Sequence, residues 1–175
     1  MIRRLVLGAI AAPVILRTAL AQNPAGQGVV SAQQPPANEA QAAMLGGMAF
    51  ALATAQLAER QAESPALKAF AQLEVEEQTA FTTARQAAGL RVPTVELMPE
   101  ERRQTMIRMR DLRGQEFDRA FLQAQIAGHQ ELLRLHQQVA QNPTSREEGL
   151  LATVAVPAIR THLVVLQGVQ ATARG

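Results

Sequence analysis

The sequence predicts an all-α protein, an antiparallel four-helix bundle with a short extra helix before the third long one. Three observations carry that expectation. Apolar residues return at spacings of three and four through four long segments, and no segment alternates as a half-buried strand would. The connections are short and marked by Pro, Gly, Asn or Ser. The core so defined is Ala and Leu with five Phe and no Trp or Tyr, and small residues let helices approach closely.

At 175 residues the chain has the length of one domain with a sizeable core. Its first residues read as an export signal rather than as fold. Arg3-Arg4 precede an apolar run from Leu5 to Leu16, and Thr18-Ala19-Leu20-Ala21 forms a small-x-small site, so residues 1–21 are expected to be cleaved after Ala21. The run is shorter than the roughly 20 apolar residues a membrane-spanning helix needs, and Arg17 closes it, so no transmembrane segment is expected in the mature chain. The arginine pair also suggests a twin-arginine signal, but the polar residue before it and the lysine after are missing. The general secretory route to the periplasm is therefore expected. No cysteine is present to carry a lipid or a disulfide.

The sequence pI of 10.3 points to nucleic acid only superficially. Loss of Arg3, Arg4 and Arg17 with the signal turns the net charge from +2 to −1, and no nucleic-acid partner is expected.

Residues 22–37 form a leader of Gln, Gly, Pro, Ala and Ser with too little apolar surface to offset its ordering entropy, and residues 38–173 are the bundle domain. Asn38 caps a first helix whose stripe is Met44, Met48, Ala51, Ala55, Ala58 and Ala62. Ser64-Pro65 ends it and opens a second, with Leu67, Phe70, Phe81, Ala84 and Ala88 in register and Gly89 as its stop. After a loop broken by Pro93 and Pro99, a charged segment from Pro99 to Arg113 is the short helix, with Met106 and Met109 as apolar contacts and five arginines on a solvated face. Gly114 turns the corner into a long helix from Gln115 to about Gln141, striped by Phe117, Phe121, Ala124, Gly128, Leu132, Leu135 and Val139. Ser145-Arg146-Glu147-Glu148 is a capping box opening the last helix, whose expected stripe is Leu151, Ala155, Ala158, His162, Val165 and Val169, with Pro157 as a kink.

Ionisable residues interrupt these stripes where the interior should be. Glu74 and Glu77 continue the three-four spacing between Phe70 and Phe81, Asp118, Gln125, His129 and His136 share one flank of the long helix, and His162 sits within the last stripe. A buried carboxylate needs a partner or a proton. Glu77, Asp118, Gln125, His129 and His162 are therefore expected to form an internal polar network that fixes helix register, while His136, near its helix end, is read as solvated. The alternative is a metal site on Glu74, Glu77, His129 and His162, holding iron, manganese, copper or zinc. A dinuclear carboxylate centre lacks its signature, because residues 126 and 159, three before His129 and His162, are Ile, and the first helix offers only Glu39, Glu59 and Glu63 near its ends. No nucleophile has a supporting motif.

Several blocks resemble an exported bacterial family, domain of unknown function 4142. They are the signal peptide, Gly46-Gly47, Leu67-Lys68-Ala69-Phe70-Ala71, Phe117-Asp118-Arg119-Ala120-Phe121-Leu122 with His129 eight residues on, and Pro157 ahead of His162-Leu163. The resemblance spans roughly Gln41 to Gln167 and implies a ferritin-like bundle, periplasmic or envelope-associated, without an established reaction. It also implies donors this chain lacks: Glu77-Gln78 stands where relatives carry Asp-His, and Met48-Ala49-Phe50-Ala51-Leu52 where an acidic residue follows the glycines. The expectation is thus a non-enzymatic envelope protein with no cofactor, acting in stress response or through an envelope partner. Metal binding or redox chemistry is the alternative, and contact with a membrane or partner through an exposed apolar helix face is a third reading.

Overall fold

The computed structural model describes residues 38–173, and the expected signal peptide (1–21) and leader (22–37) lie outside the described residues. Within them the chain is all-α: α1 (Glu39–Gln61), α2 (Pro65–Ala87), a 3-10 turn (Val95–Leu97), α3 (Glu100–Asp111), α4 (Gly114–Gln141) and α5 (Arg146–Thr172), with no strand. The helix starts follow the caps in the sequence. Asn38 accepts from the Gln41 amide at 2.8 Å, Ser64 from Leu67 at 3.4 Å and Ser145 from Glu148 at 3.1 Å. Gly89 and Gly114 take the left-handed φ values of 68° and 57° that end α2 and open α4.

Helix α1 packs against α2 and α4, while α5 lies chiefly on α4 and more lightly on α2. The short links 62–64 and 142–145 make α1/α2 and α4/α5 antiparallel neighbours. The predicted α1 stripe is buried at every position, from Met44 to Ala62. Gly46 and Gly47 supply the closest approaches. A Cβ on Gly46 would stand 2.2 Å from the Leu97 carbonyl oxygen, and one on Gly47 would stand 2.8 Å from Leu132 Cδ2. Gly46→Ala is therefore expected to cost about 1–3 kcal/mol through forced separation of α1 from the 3-10 turn. Gly128, buried in α4 but with nothing within 4 Å of a built Cβ, should gain about 0.5–1 kcal/mol as Ala. Urea midpoints of the two variants, moving in opposite directions, check both.

Two helices are rotated from the expected phase. In α5 the buried face is Glu148, Ala152, Ala155, Ile159, Leu163 and Leu166, whereas Val165 is 44% exposed and Leu151, Ala158, His162 and Val169 are half-buried. Apolar residues surround most of α5, so periodicity left its phase open, and the burial of Glu148 selects it. In α2 the inward line drifts through Ala71, Glu74, Gln78 and Arg85, leaving Glu77, Phe81 and Ala84 half-buried and Ala88 exposed. The α3 arginines are not uniformly solvated either. Arg102 is half-buried with its guanidinium 5.4 Å over the Phe50 ring, and Arg103 donates to the Met98 carbonyl.

The apolar interior falls into two main clusters. One gathers Ala55, Phe70, Phe117, Phe121 and Leu166; the other gathers Met44, Met48, Leu132, Leu135, Ile159 and Leu163. Along the helices, residues 54, 74, 125 and 129 fall between these two groups, and residue 162 lies beside their boundary on α5, which falls between Leu163 and Leu166. They form a polar layer.

Candidate metal centre

The polar layer is set by register. Four residues after Phe70, Glu74 projects inward from α2 and is fully buried; His129, eight residues after Phe121, projects from α4 at 1% exposure; His162 comes from α5, half-buried, at the α2 side. Their donor atoms converge. Glu74 Oε2 lies 3.2 Å from His129 Nε2 and 3.0 Å from His162 Nδ1, and those two nitrogens are 3.1 Å apart. The Phe70 ring meets both imidazoles edge-on, with centroids at 5.8 and 5.3 Å, and so walls the apolar side.

Each of the three groups is oriented by a further partner. His129 Nδ1 donates to the Gln125 carbonyl at 2.9 Å, which fixes that nitrogen as the protonated one and turns Nε2 toward Glu74. His162 Nε2 donates to Glu77 Oε2 at 3.2 Å, and Gln78 Nε2 donates to Glu74 Oε1 at 3.0 Å. The Gln125 side chain reaches across to α1, donating to Thr54 Oγ1 at 2.9 Å.

Protonation follows from these contacts. Two donors cannot face each other at 3.1 Å, so only one of the two imidazoles carries hydrogen on the nitrogen facing the other. Burial alone would lower the His162 pKa, but the hydrogen bonds and charges of Glu74 and Glu77 raise it to about 9. Burial likewise opposes ionisation of Glu74, yet the imidazoles of His129 and His162 more than offset it and hold this carboxyl well below the usual carboxylate range. The resting cluster thus places a His162 imidazolium between the Glu74 and Glu77 carboxylates.

The same atoms fit a metal ion. Ligands about 2.0–2.2 Å from a first-row ion stand about 2.9 Å apart in a facial octahedral arrangement and about 3.4 Å apart in a tetrahedral one. Edges of 3.0, 3.1 and 3.2 Å fall between these limits. Two imidazoles and one carboxylate suit iron, zinc or copper, and manganese less well. Glu74, His129 and His162 are the one such group of donors among the described residues.

The expected residues are not all brought together. Asp118 is half-buried and turned away from the layer, its carboxylate accepting from the amides of Glu63 (3.1 Å) and Ser64 (2.8 Å) to clamp the α1/α2 turn. His136 is not solvated but 4% exposed, donating Nδ1–H to the Leu132 carbonyl at 2.9 Å. Burial pushes its pKa down to about 4, against the pull of that backbone contact, and the charge of Arg85 adds to the depression.

Sequence reasoning missed a second buried centre. Arg85 Nη2 pairs with Glu148 Oε1 at 2.8 Å, both essentially solvent-free, and Glu148 Oε2 also accepts from Gln41 and Thr144. Only half of the capping box therefore exists: Ser145 caps the Glu148 amide while the carboxylate serves the ion pair. Gln78 was also missed, although its place four residues after Glu74, hence on the same helix face, was a usable signal.

Residues 20–169 match the family model described as "Domain of unknown function (DUF4142)". No curated protein and no solved structure matches the chain.

Proposed function

Since the chain belongs to the domain of unknown function 4142 family, whose description assigns no activity, we propose from geometry that it is an exported envelope protein, a ferritin-like four-helix bundle of α1, α2, α4 and α5 with α3 as the extra helix, that binds one transition-metal ion on Glu74, His129 and His162. The observation that carries this reading is the completeness of the site. Three donors stand at ligand spacing, and each is held by a further partner: a backbone carbonyl for His129, a carboxylate for His162 and an amide for Glu74. A bound ion there would offer Lewis-acid or redox chemistry at positions left open by only three protein ligands. Further donors at residues 48–52 and 77–78, which the resemblance implies for the family, are not needed for such a mononuclear site, since Glu77 and Gln78 act one contact further out.

A second reading keeps the layer as a metal-free network that fixes helix register. It is favoured by the two carboxylates that flank the His162 ring, Glu74 at Nδ1 and Glu77 at Nε2, which partner both of its nitrogens without an ion.

Metal analysis of protein purified from the periplasm separates the two. About one ion per chain is expected, lost in His129→Ala and His162→Ala, with Glu77→Gln weakening affinity by about 10–100-fold through its effect on His162. Chelator-treated protein that takes up iron, manganese, copper and zinc no better than His162→Ala would overturn the metal reading and leave the network. Export predicts that the periplasmic protein begins at Gln22, which N-terminal sequencing checks.

A further inference from the structure

Helix α5 is apolar on two faces. Its inner face is the buried line from Glu148 to Leu166, but Leu150, Val154, Pro157, Thr161, Val164 and Gly168 are all exposed on the other side. Leu150, Val154 and Val164 stand 57%, 63% and 70% open to solvent. From Gly149 to Ala173 the only formally charged residue is Arg160. A contiguous exposed apolar stripe on a helix already buried on its other side marks a contact with a further surface.

The spacing of the exposed set is four, three, four, three, four, the alternation by which one helix packs along another. The same order reads well in reverse. When two such helices run antiparallel about an axis near Ile159, Leu150 meets Gly168 of the second copy, Val154 meets Val164, and Pro157 meets Thr161, so large faces small or medium faces medium. A parallel pairing sets Leu on Leu and Gly on Gly. The seam is about 27 Å long, enough for two helices with their flanking residues to bury about 600 Å² on each partner, the lower end of a specific interface.

A lipid surface is the competing occupant, because α5 is long and apolar enough to cross a membrane with only 22% of its apolar window buried in the fold. Three features oppose it. The inner side of α5 is tied into the protein by the Glu148–Arg85 pair and by His162. The outer face has a single basic residue at its rim, Arg160, where amphipathic helices that hold anionic lipid carry a row of them. Once the expected signal is removed the net charge is −1, which gives no attraction to an anionic surface.

We propose that the outer face of α5 is a homodimer interface in which two copies of this chain pair antiparallel about a twofold axis. The pairing is independent of whether a metal occupies the interior. Arg160 lies at the rim close to its own symmetry mate, so the dimer should tighten as salt screens that repulsion.

Sedimentation of the purified mature chain is expected to show a dimer at about 10 μM, well below the concentration at which adventitious contacts dominate. Val154→Glu should raise the dissociation constant by at least about a hundredfold, with unchanged helical circular dichroism because the position is exposed. The double variant Val154→Lys/Val164→Glu sets opposite charges across the antiparallel pair and should regain dimerisation; failure to do so overturns the antiparallel arrangement. A wild-type chain that stays monomeric at about 100 μM, or a Val154→Glu chain that still dimerises, overturns the interface. Monomeric protein that floats with phosphatidylglycerol vesicles overturns it in favour of the membrane.

Discussion

Glu148→Ala is expected to be among the most damaging single substitutions in this protein, lowering stability by about 3–5 kcal/mol. The loss comes less from the missing bond than from what remains. Arg85 keeps its charge in a setting where both side chains are essentially solvent-free, and the donors on Gln41 and Thr144 lose their acceptor. Three helices are affected together, since Gln41 belongs to α1, Arg85 to α2 and Glu148 to α5. In thermal terms a domain of this size should lose on the order of 10 °C. The double variant Arg85→Met/Glu148→Leu should recover most of that stability, because replacing both charges by apolar groups removes the desolvation cost as well as the attraction. Thermal melts of the wild type, the single variant and the double variant test the argument. A double variant no better than Glu148→Ala would mean that the polar contacts to Gln41 and Thr144, not the stranded charge, dominate this end of the molecule.

That ion pair also marks where the sequence could be read and where it could not. Helix α1 was legible because burial there does not depend on phase: Leu45, Ala49, Phe50 and Leu57 are buried along with the six predicted core positions, and its Asn38 cap is a local signal. Helix α5 was not. Val, Leu, Ile and Ala occupy most of its circumference, so several stripes satisfy the three-four rule, and the phase is selected by Arg85, 63 residues away in the chain. Glu148 obeyed a local rule as a capping residue while its carboxylate answered to this distant partner. His136 was misread for the same reason: proximity to a helix end predicts solvent, but burial is a property of the whole fold. The candidate centre was legible in part because Glu74, His129 and His162 interrupt apolar runs, whereas Asp118 shares the flank of His129 on α4 but sits at the helix start, within reach of the α1/α2 turn.

The pH dependence of the metal-free protein should peak near pH 6.5 and fall on both sides, for two different histidines. His162 has a folded pKa of about 9 against an ordinary value of 6.5. The folded state therefore holds its proton more tightly than the unfolded one. That stabilisation is complete below pH 6.5 and is lost as the pH rises toward 9, at about 2 kcal/mol after discounting for solvent screening at this half-buried ring. His136 has the opposite sign, with a folded pKa of about 4. The unfolded chain takes up a proton that the folded one refuses, so stability is lost as the pH falls from 6.5 toward 4, by about 3 kcal/mol. Glu74, whose carboxyl is held low by the two imidazoles, steepens the acid limb below the usual carboxylate range. Urea denaturation of chelator-treated protein across pH 4–9 checks the shape, and His136→Gln should flatten the acid limb alone. A bound metal ion reverses the alkaline limb. Coordination through His162 Nδ1 must expel the proton that this nitrogen shares with Glu74 and His129. Metal affinity should therefore rise about tenfold for each pH step between 6.5 and 9, with about one proton released per ion. Calorimetric titration in buffers of different ionisation enthalpy counts that proton, and binding that is independent of pH across this window would exclude His162 as a ligand.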